Sequence, residues 1–182
     1  QWILIGGSGT IVSPNSPTSL ITGLGVGNNT FRWRITNPPC TQSQDNMIIV
    51  GRAVPSIANA GTDKTLCATS TSTPMNATAA TAGIGRWIKI SGSGVITNSL
   101  SPTTNITGLT IGTSVFTWSI SNPPCTSSTD NVTITVNAIP SISSAGPNQT
   151  VCVTGGATMA ANTQTAGTGA WTLLSGSGTI TT

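Results

Sequence analysis

Apolar and polar residues alternate along this chain in short stretches, none longer than a strand. Val132-Thr133-Ile134-Thr135-Val136 alternates strictly. Residues 114–120 place Val115, Thr117 and Ser119 on one face and Phe116, Trp118 and Ile120 on the other. A period of two marks a strand with one face toward a core. Residues 86–90 carry apolar groups on both faces, with Trp87 and Lys89 opposite Ile88 and Ile90. Shorter strand signals lie at 65–68, 75–79, 95–97 and 104–107. Turn signals separate them at 60–63, 91–94 and 108–112. Asn122-Pro123-Pro124 stops the Trp118 strand, because proline cannot donate to a ladder. No segment has a helical period. A count of about seven short strands between turns predicts an all-β, immunoglobulin-like β-sandwich.

The pattern then repeats. Asn37-Pro38-Pro39-Cys40 returns as Asn122-Pro123-Pro124-Cys125, a shift of 85. Trp33 and Trp118, Pro55 and Pro140, and Cys67 and Cys152 keep the same shift. Trp2 returns as Trp87 and then Trp171, at shifts of 85 and 84. A period this long is a domain rather than a solenoid unit. The divisions expected are 1–52, the C-terminal part of one repeat; 53–137, a complete repeat; and 138–182, the N-terminal part of a third. The chain starts and stops at nearly the same phase, so it reads as a stretch of a much longer polypeptide. The joints before Pro55 and Pro140 are short, which predicts semi-rigid coupling and an extended rod. The expected core is Trp2, Trp33, Trp87, Trp118 and Trp171, as large aromatics dominate such sandwiches. A carbohydrate-stacking tryptophan is the alternative, and the inward alternation around Trp118 argues against it.

Composition removes most other functions. Charged residues are 5% of the chain, against roughly 25% in ordinary soluble domains. Glu and His are absent, and the only acids are Asp45, Asp63 and Asp130. No candidate general base pairs with a nucleophile, so no catalytic residue is expected. The six basic residues Arg32, Arg34, Arg52, Lys64, Arg86 and Lys89 are dispersed, which excludes a nucleic-acid stripe. Calcium wants several carboxylate oxygens, and one Asp per turn is thin support for it. No cofactor is expected. Asp45, Asp63 and Asp130 read instead as turn-capping residues. Asn28, Asn76, Asn105, Asn131 and Asn148 each begin an Asn-x-Ser/Thr triplet, which so Asn- and Thr-rich a chain produces by chance. The Ser-Gly-Ser-Gly stretch at 91–94 and its equivalents are turns, with no following helix or Lys to make a phosphate loop.

Four cysteines at fixed phase favour a disulfide framework and an oxidising, extracellular compartment. Zinc is disfavoured by widely spaced cysteines and the lack of His. The preferred pairing is Cys67 with Cys125 inside the complete repeat, leaving Cys40 and Cys152 to partners beyond the chain. The competing scheme pairs Cys40 with Cys67 and Cys125 with Cys152, across each joint. Free buried thiols are the third reading.

Residues 58–67 and 144–152 resemble the opening strand of PKD-like and related immunoglobulin-like repeats. Trp87 with Ser91-Gly92-Ser93-Gly94, Thr107-Gly108-Leu109 before Phe116-Thr117-Trp118, and Cys125 before Asp130-Asn131-Val132 are similar to the later pieces. Such repeats are abundant in giant secreted proteins of Bacteroidota, including mobile adhesins of gliding bacteria exported by type IX secretion. The resemblance implies a cell-surface stalk that spaces or presents a distal binding region. Its expected partners are neighbouring repeats and a surface or glycan ligand elsewhere. A departure is that Asp63 becomes Asn148 in the next copy, so no role requiring a carboxylate at this position holds in every repeat. The alternative is a self-assembling filament in which 138–182 of one subunit completes 1–52 of another by donor-strand addition.

Overall fold

The computed structural model describes residues 1–181 and is all-β across them. The strands are β1 Trp2–Gly6, β2 Thr10–Ile11, β3 Ile21–Thr22, β4 Gly27–Ile35, β5 Ser43–Gly51, β6 Lys64–Cys67, β7 Thr73–Pro74, β8 Ile84–Ser91, β9 Val95–Ile96, β10 Asn105–Thr107, β11 Gly112–Asn122 and β12 Cys125–Asn137.

The middle stretch forms an immunoglobulin-like sandwich from β6 to β12. One sheet has the order β6-β12-β11-β8 and the other β7-β10-β9. β11 pairs antiparallel with β12 and β8, and sets Trp118 opposite Trp87. β6 runs parallel to β12, with Cys67 opposite Asn137. The inward residues follow the alternation: Phe116, Trp118, Ile120, Val132, Ile134 and Val136 are buried, joined by Trp87, Met75, Ile106 and Leu109. Every member of this core lies between Ala58 and Val136. The middle stretch therefore holds its own core.

Two strands differ from expectation. Residues 75–79 form no ladder beyond β7, yet Met75 and Ala77 are buried and donate backbone bonds to Thr104 and Pro102. Burial alternates there without regular pairing. The last strand begins at Cys125 and not near residue 132. Pro123 and Pro124 form the whole hairpin turn, so Asn122 pairs directly with Cys125.

Residues 1–51 repeat the later half of this sandwich. β1, β4 and β5 form a sheet in the order β1-β4-β5, matching β8-β11-β12. Trp2 stands opposite Trp33. The two tryptophan pairs have the same geometry: ring centroids are 5.2 Å apart in both, tilted by 49° and 48°. Residues 138–181 pair with no strand.

The Ser-Gly-Ser-Gly turn shows why its second glycine recurs. Gly94 has φ +100°, and a Cβ there would lie 2.7 Å from Ile106 and 3.2 Å from the Phe116 ring. Gly9 meets Ile21 and Phe31 in the same way. The backbone must pass directly over the core at this point.

Candidate functional site

The groups that could carry function are the segment that opens the sandwich, the groove it fills and the two poles where cysteines sit.

The opening segment, residues 56–63, is not a strand by pairing. It is held by side chains. The Ala58 amide donates to Ser128 Oγ at 2.9 Å, and the Ala60 amide donates to Asp130 Oδ2 at 2.8 Å. The Thr133 amide donates to Asp63 Oδ1 at 2.8 Å. Alternate residues of β12 thus clamp alternate residues of the opening segment, as the two-residue period of a strand requires. Further on, the Trp118 indole donates to the Thr78 carbonyl at 3.1 Å and the Trp87 indole to Pro102 at 3.3 Å. A buried indole needs such an acceptor.

This corrects the turn-capping assignment of the three acids. Asp130 lies inside β12, opposite Trp118, and accepts an amide from a segment 70 residues earlier. Asp63 likewise reaches across to Thr133. The reason is that β12 already starts at Cys125, so position 130 is extended backbone with no turn to cap. Asp45 is likewise inside a strand, β5, opposite Trp33, and caps no turn; it accepts only from the next amide, that of Asn46. The change to Asn148 also becomes intelligible, because an amide oxygen can accept the bond that Asp63 accepts. The recurrence of Ser43-Gln44-Asp45 as Ser128-Thr129-Asp130 was the sequence signal for this clamp.

Among the described residues, none sits on β5 as the opening segment sits on β12. Trp2 and Trp33 are half-buried and line a groove with Pro17, Asp45, Asn46 and Met47. Trp87 and Trp118, with the segment in place, are 2% and 1% exposed. Trp171 was expected in a core and is 42% exposed. Among the described residues no strand pairs over it, and its ring borders an open groove with Pro140, Ile142 and Ala161. Residues 138–166 nonetheless keep local bonds like those of the middle stretch. Ser141 donates to Ala166 as Ser56 does to Ala82, and Thr165 donates to Ser141 Oγ as Thr81 does to Ser56 Oγ.

A buried polar position was missed by sequence reading. Ser114 Oγ accepts the Ser93 amide at 3.0 Å, and its equivalent Asn29 accepts the Ser8 amide at 2.8 Å. Ser114 thus caps the Ser91-Gly92-Ser93-Gly94 turn and Asn29 its equivalent, Gly6-Gly7-Ser8-Gly9. A polar residue at the start of an apolar strand was the signal.

Neither disulfide scheme fits the strand register. Cys125 is the first residue of β12, and Cys67 pairs with its last, Asn137. At about 3.3 Å per residue the two stand roughly 40 Å apart, whereas a disulfide needs Cα atoms within about 7 Å. The cross-joint scheme fails for the same reason. Cys40 precedes β5, whose far end Gly51 meets the joint, and Cys125 lies at the end of β12 away from Asn137. All four thiols are free, and Cys40, Cys67 and Cys152 are exposed. Hydrogen bonds from the backbone and then the hydroxyl of Thr69 hold the Cys67 thiol below its ordinary range. The hydroxyl and then the backbone of Thr154 do the same for Cys152. Among the described residues no three Asp, Glu, Cys or His side chains are grouped to hold a metal.

No protein-family model matches the chain, and no curated protein sequence matches it. Among solved structures it is similar to the PKD domain of the KIAA 1837 protein, at 26% identity and TM-score 0.40, over 56% of this chain and 99% of that one. The insect immune protein hemolin matches at 13% identity and TM-score 0.39, over 71% of this chain and 34% of hemolin. The tandem Ig repeats of Dlar match at 14% identity and TM-score 0.36, over 76% and 81%. The immunoglobulin-like sandwich itself is defined by the strand pairing above.

Asp130→Ala should destabilise residues 53–137 by about 1–3 kcal/mol, because it leaves the buried Ala60 amide without an acceptor. Asp130→Asn should recover most of that loss. Urea melts of the two variants check this, and equal loss in both would mean that charge matters more than the bond.

Proposed function

We propose that this chain is a stalk segment of a very large extracellular repeat adhesin, holding a distal binding region away from a cell surface. The observation that carries the reading is where the backbone enters and leaves the middle repeat. The Ala53 carbonyl accepts from the Asn122 amide group at 2.9 Å, at the end of β11 paired with the first residue of β12, and the chain departs at Asn137, the far end of β12. A repeat whose ends lie at opposite poles adds length with every copy. The repeat period, the short proline joints and the resemblance to stalk repeats support the same reading. The partners are then neighbouring repeats, with ligand recognition left to another region.

A second reading is favoured by the groove at Trp2, Trp33 and Asp45. Residues 138–162 of a second copy carry Ser143 and Ala145 where the middle repeat has Ala58 and Ala60. Seated on Ser43 and Asp45, they would complete residues 1–51 and join subunits into a filament.

Small-angle scattering separates the two. A tandem of two copies of residues 53–137 should be longer than one copy by roughly 40 Å, the length of β12 at about 3.3 Å per residue. A tandem no longer than about one and a half copies would overturn the stalk. A scattering mass of the 182-residue chain that rises with concentration, and stops rising in Asp45→Ala, would support the filament.

A further inference from the structure

The two kinds of cysteine lie beside equivalent linker residues at opposite ends of a repeat. Arg52 and Asn137 are equivalent positions, each preceding an Ala-x-Pro joint. At the first joint the Arg52 carbonyl accepts from Cys125 Sγ at 3.7 Å, so the hairpin cysteine of a repeat rests on the linker that leads into it. At the second joint the Asn137 carbonyl accepts from the Ala68 amide at 2.9 Å, and Cys67 stands opposite Asn137 in register. The β6 cysteine of a repeat is therefore paired in register with the linker residue that leads out of it. Where one complete repeat follows another, both contacts fall on the same linker residue. A carbonyl has lone pairs for both.

We propose that the structural disulfide of this protein joins consecutive repeats, from Cys67 of one repeat to the Cys125 equivalent of the next. It is a staple across the joint, and neither an intradomain bond nor any pairing among the four cysteines of this chain. Cys152 and Cys40 are the corresponding halves of further staples. The Cys67 thiol suits the attacking role, being exposed and held below its ordinary range by Thr69. Its thiolate attacks a low-molecular-weight disulfide such as oxidised glutathione, forming a mixed disulfide and releasing one thiolate. The cysteine of the next repeat, on losing its proton, displaces the second thiolate. The protein loses two protons and two electrons, and the oxidant becomes two thiols. The inference rests on the end-to-end stacking proposed above.

The test is a tandem of two contiguous copies of residues 53–137, each with its own core, oxidised at low concentration with oxidised glutathione. Thiol titration should fall by half, and non-reduced peptide mapping should find Cys67 of the first copy linked to Cys125 of the second. A single copy should keep both thiols under the same conditions. Cys67→Ser in the first copy should abolish the link, while Cys125→Ser in the first copy should leave it. Full retention of thiols in the tandem, or a Cys67 to Cys125 link within one copy, would overturn the proposal. Scattering of the reduced tandem reports stacking independently. An elongated reduced tandem that forms no link sinks the staple alone, whereas a compact one sinks the stalk reading as well.

Discussion

Trp118→Ala in residues 53–137 should lower unfolding free energy by about 3–5 kcal/mol, the range for truncating a fully buried tryptophan. The ring is 1% exposed, packs on Trp87 at 5.2 Å and is tied to the 75–79 stretch through its indole bond to the Thr78 carbonyl. Its loss opens a cavity in the sandwich and strands the Thr78 carbonyl. The equivalent Trp33→Ala in residues 1–51 should cost less than half as much. Trp33 has an equivalent partner ring but is only half-buried, because no described residue stands where Thr78 and its neighbours stand over Trp118. Area removed from water sets most of the difference. Denaturant melts of the two variants, each against its parent, give the comparison. Equal losses would show that residues 53–83 contribute little to burying the pair.

Gly94→Ala should cost about 2–4 kcal/mol, through overpacking and backbone strain acting together. A Cβ would stand 2.7 Å from Ile106, 3.0 Å from Leu109 and 3.2 Å from Phe116, all buried. The φ of +100° disfavours any side chain even with space cleared. Gly108→Ala is the control. Its φ is +68° but a Cβ there meets nothing within 4 Å, so it reports the strain alone. Thermal melts of both variants should separate the two terms, with Gly94→Ala the more damaging. A Gly94→Ala protein as stable as Gly108→Ala would mean that the core yields freely at this turn.

The comparison of residues 1–51 with 53–137 explains what the opening segment does. Both have the tryptophan pair, the long hairpin and the glycine turn at residues 6–9 and 91–94. Only the middle repeat has Ala58 and Ala60 against β12, and only there are the rings fully covered. Small residues at these positions let the backbone approach β12 closely enough for Ser128 and Asp130 to accept its amides. The low charge of the chain follows from the same design. Its polar side chains are largely hydroxyls and amides, which bond to backbone at turns and clamps.

Much of this was legible in the residues. Phe116, Trp118, Ile120, Val132, Ile134 and Val136 are buried where alternation places them, because a strand's two-residue period is a local property of the backbone. The repeat was visible for the same reason, as equal positions carry equal local demands. Asp130 was misread because the strand containing it starts earlier than its apolar residues do. Trp171 was misread because burial needs strands that residues 138–181 do not meet. The cysteines are the clearest case. Their phase and spacing were in the sequence, but their partners depend on where β6 lies along β12. β6 pairs with residues 134–137, at the far end of β12, and so carries Cys67 to the pole opposite Cys125. That choice is made by pairing between residues about 70 positions apart, a non-local closure that no local pattern encodes. Thus the sequence by itself determined the strand faces, the repeat and the all-β class, while only the tertiary structure decided which pole each cysteine occupies and what the acids hold.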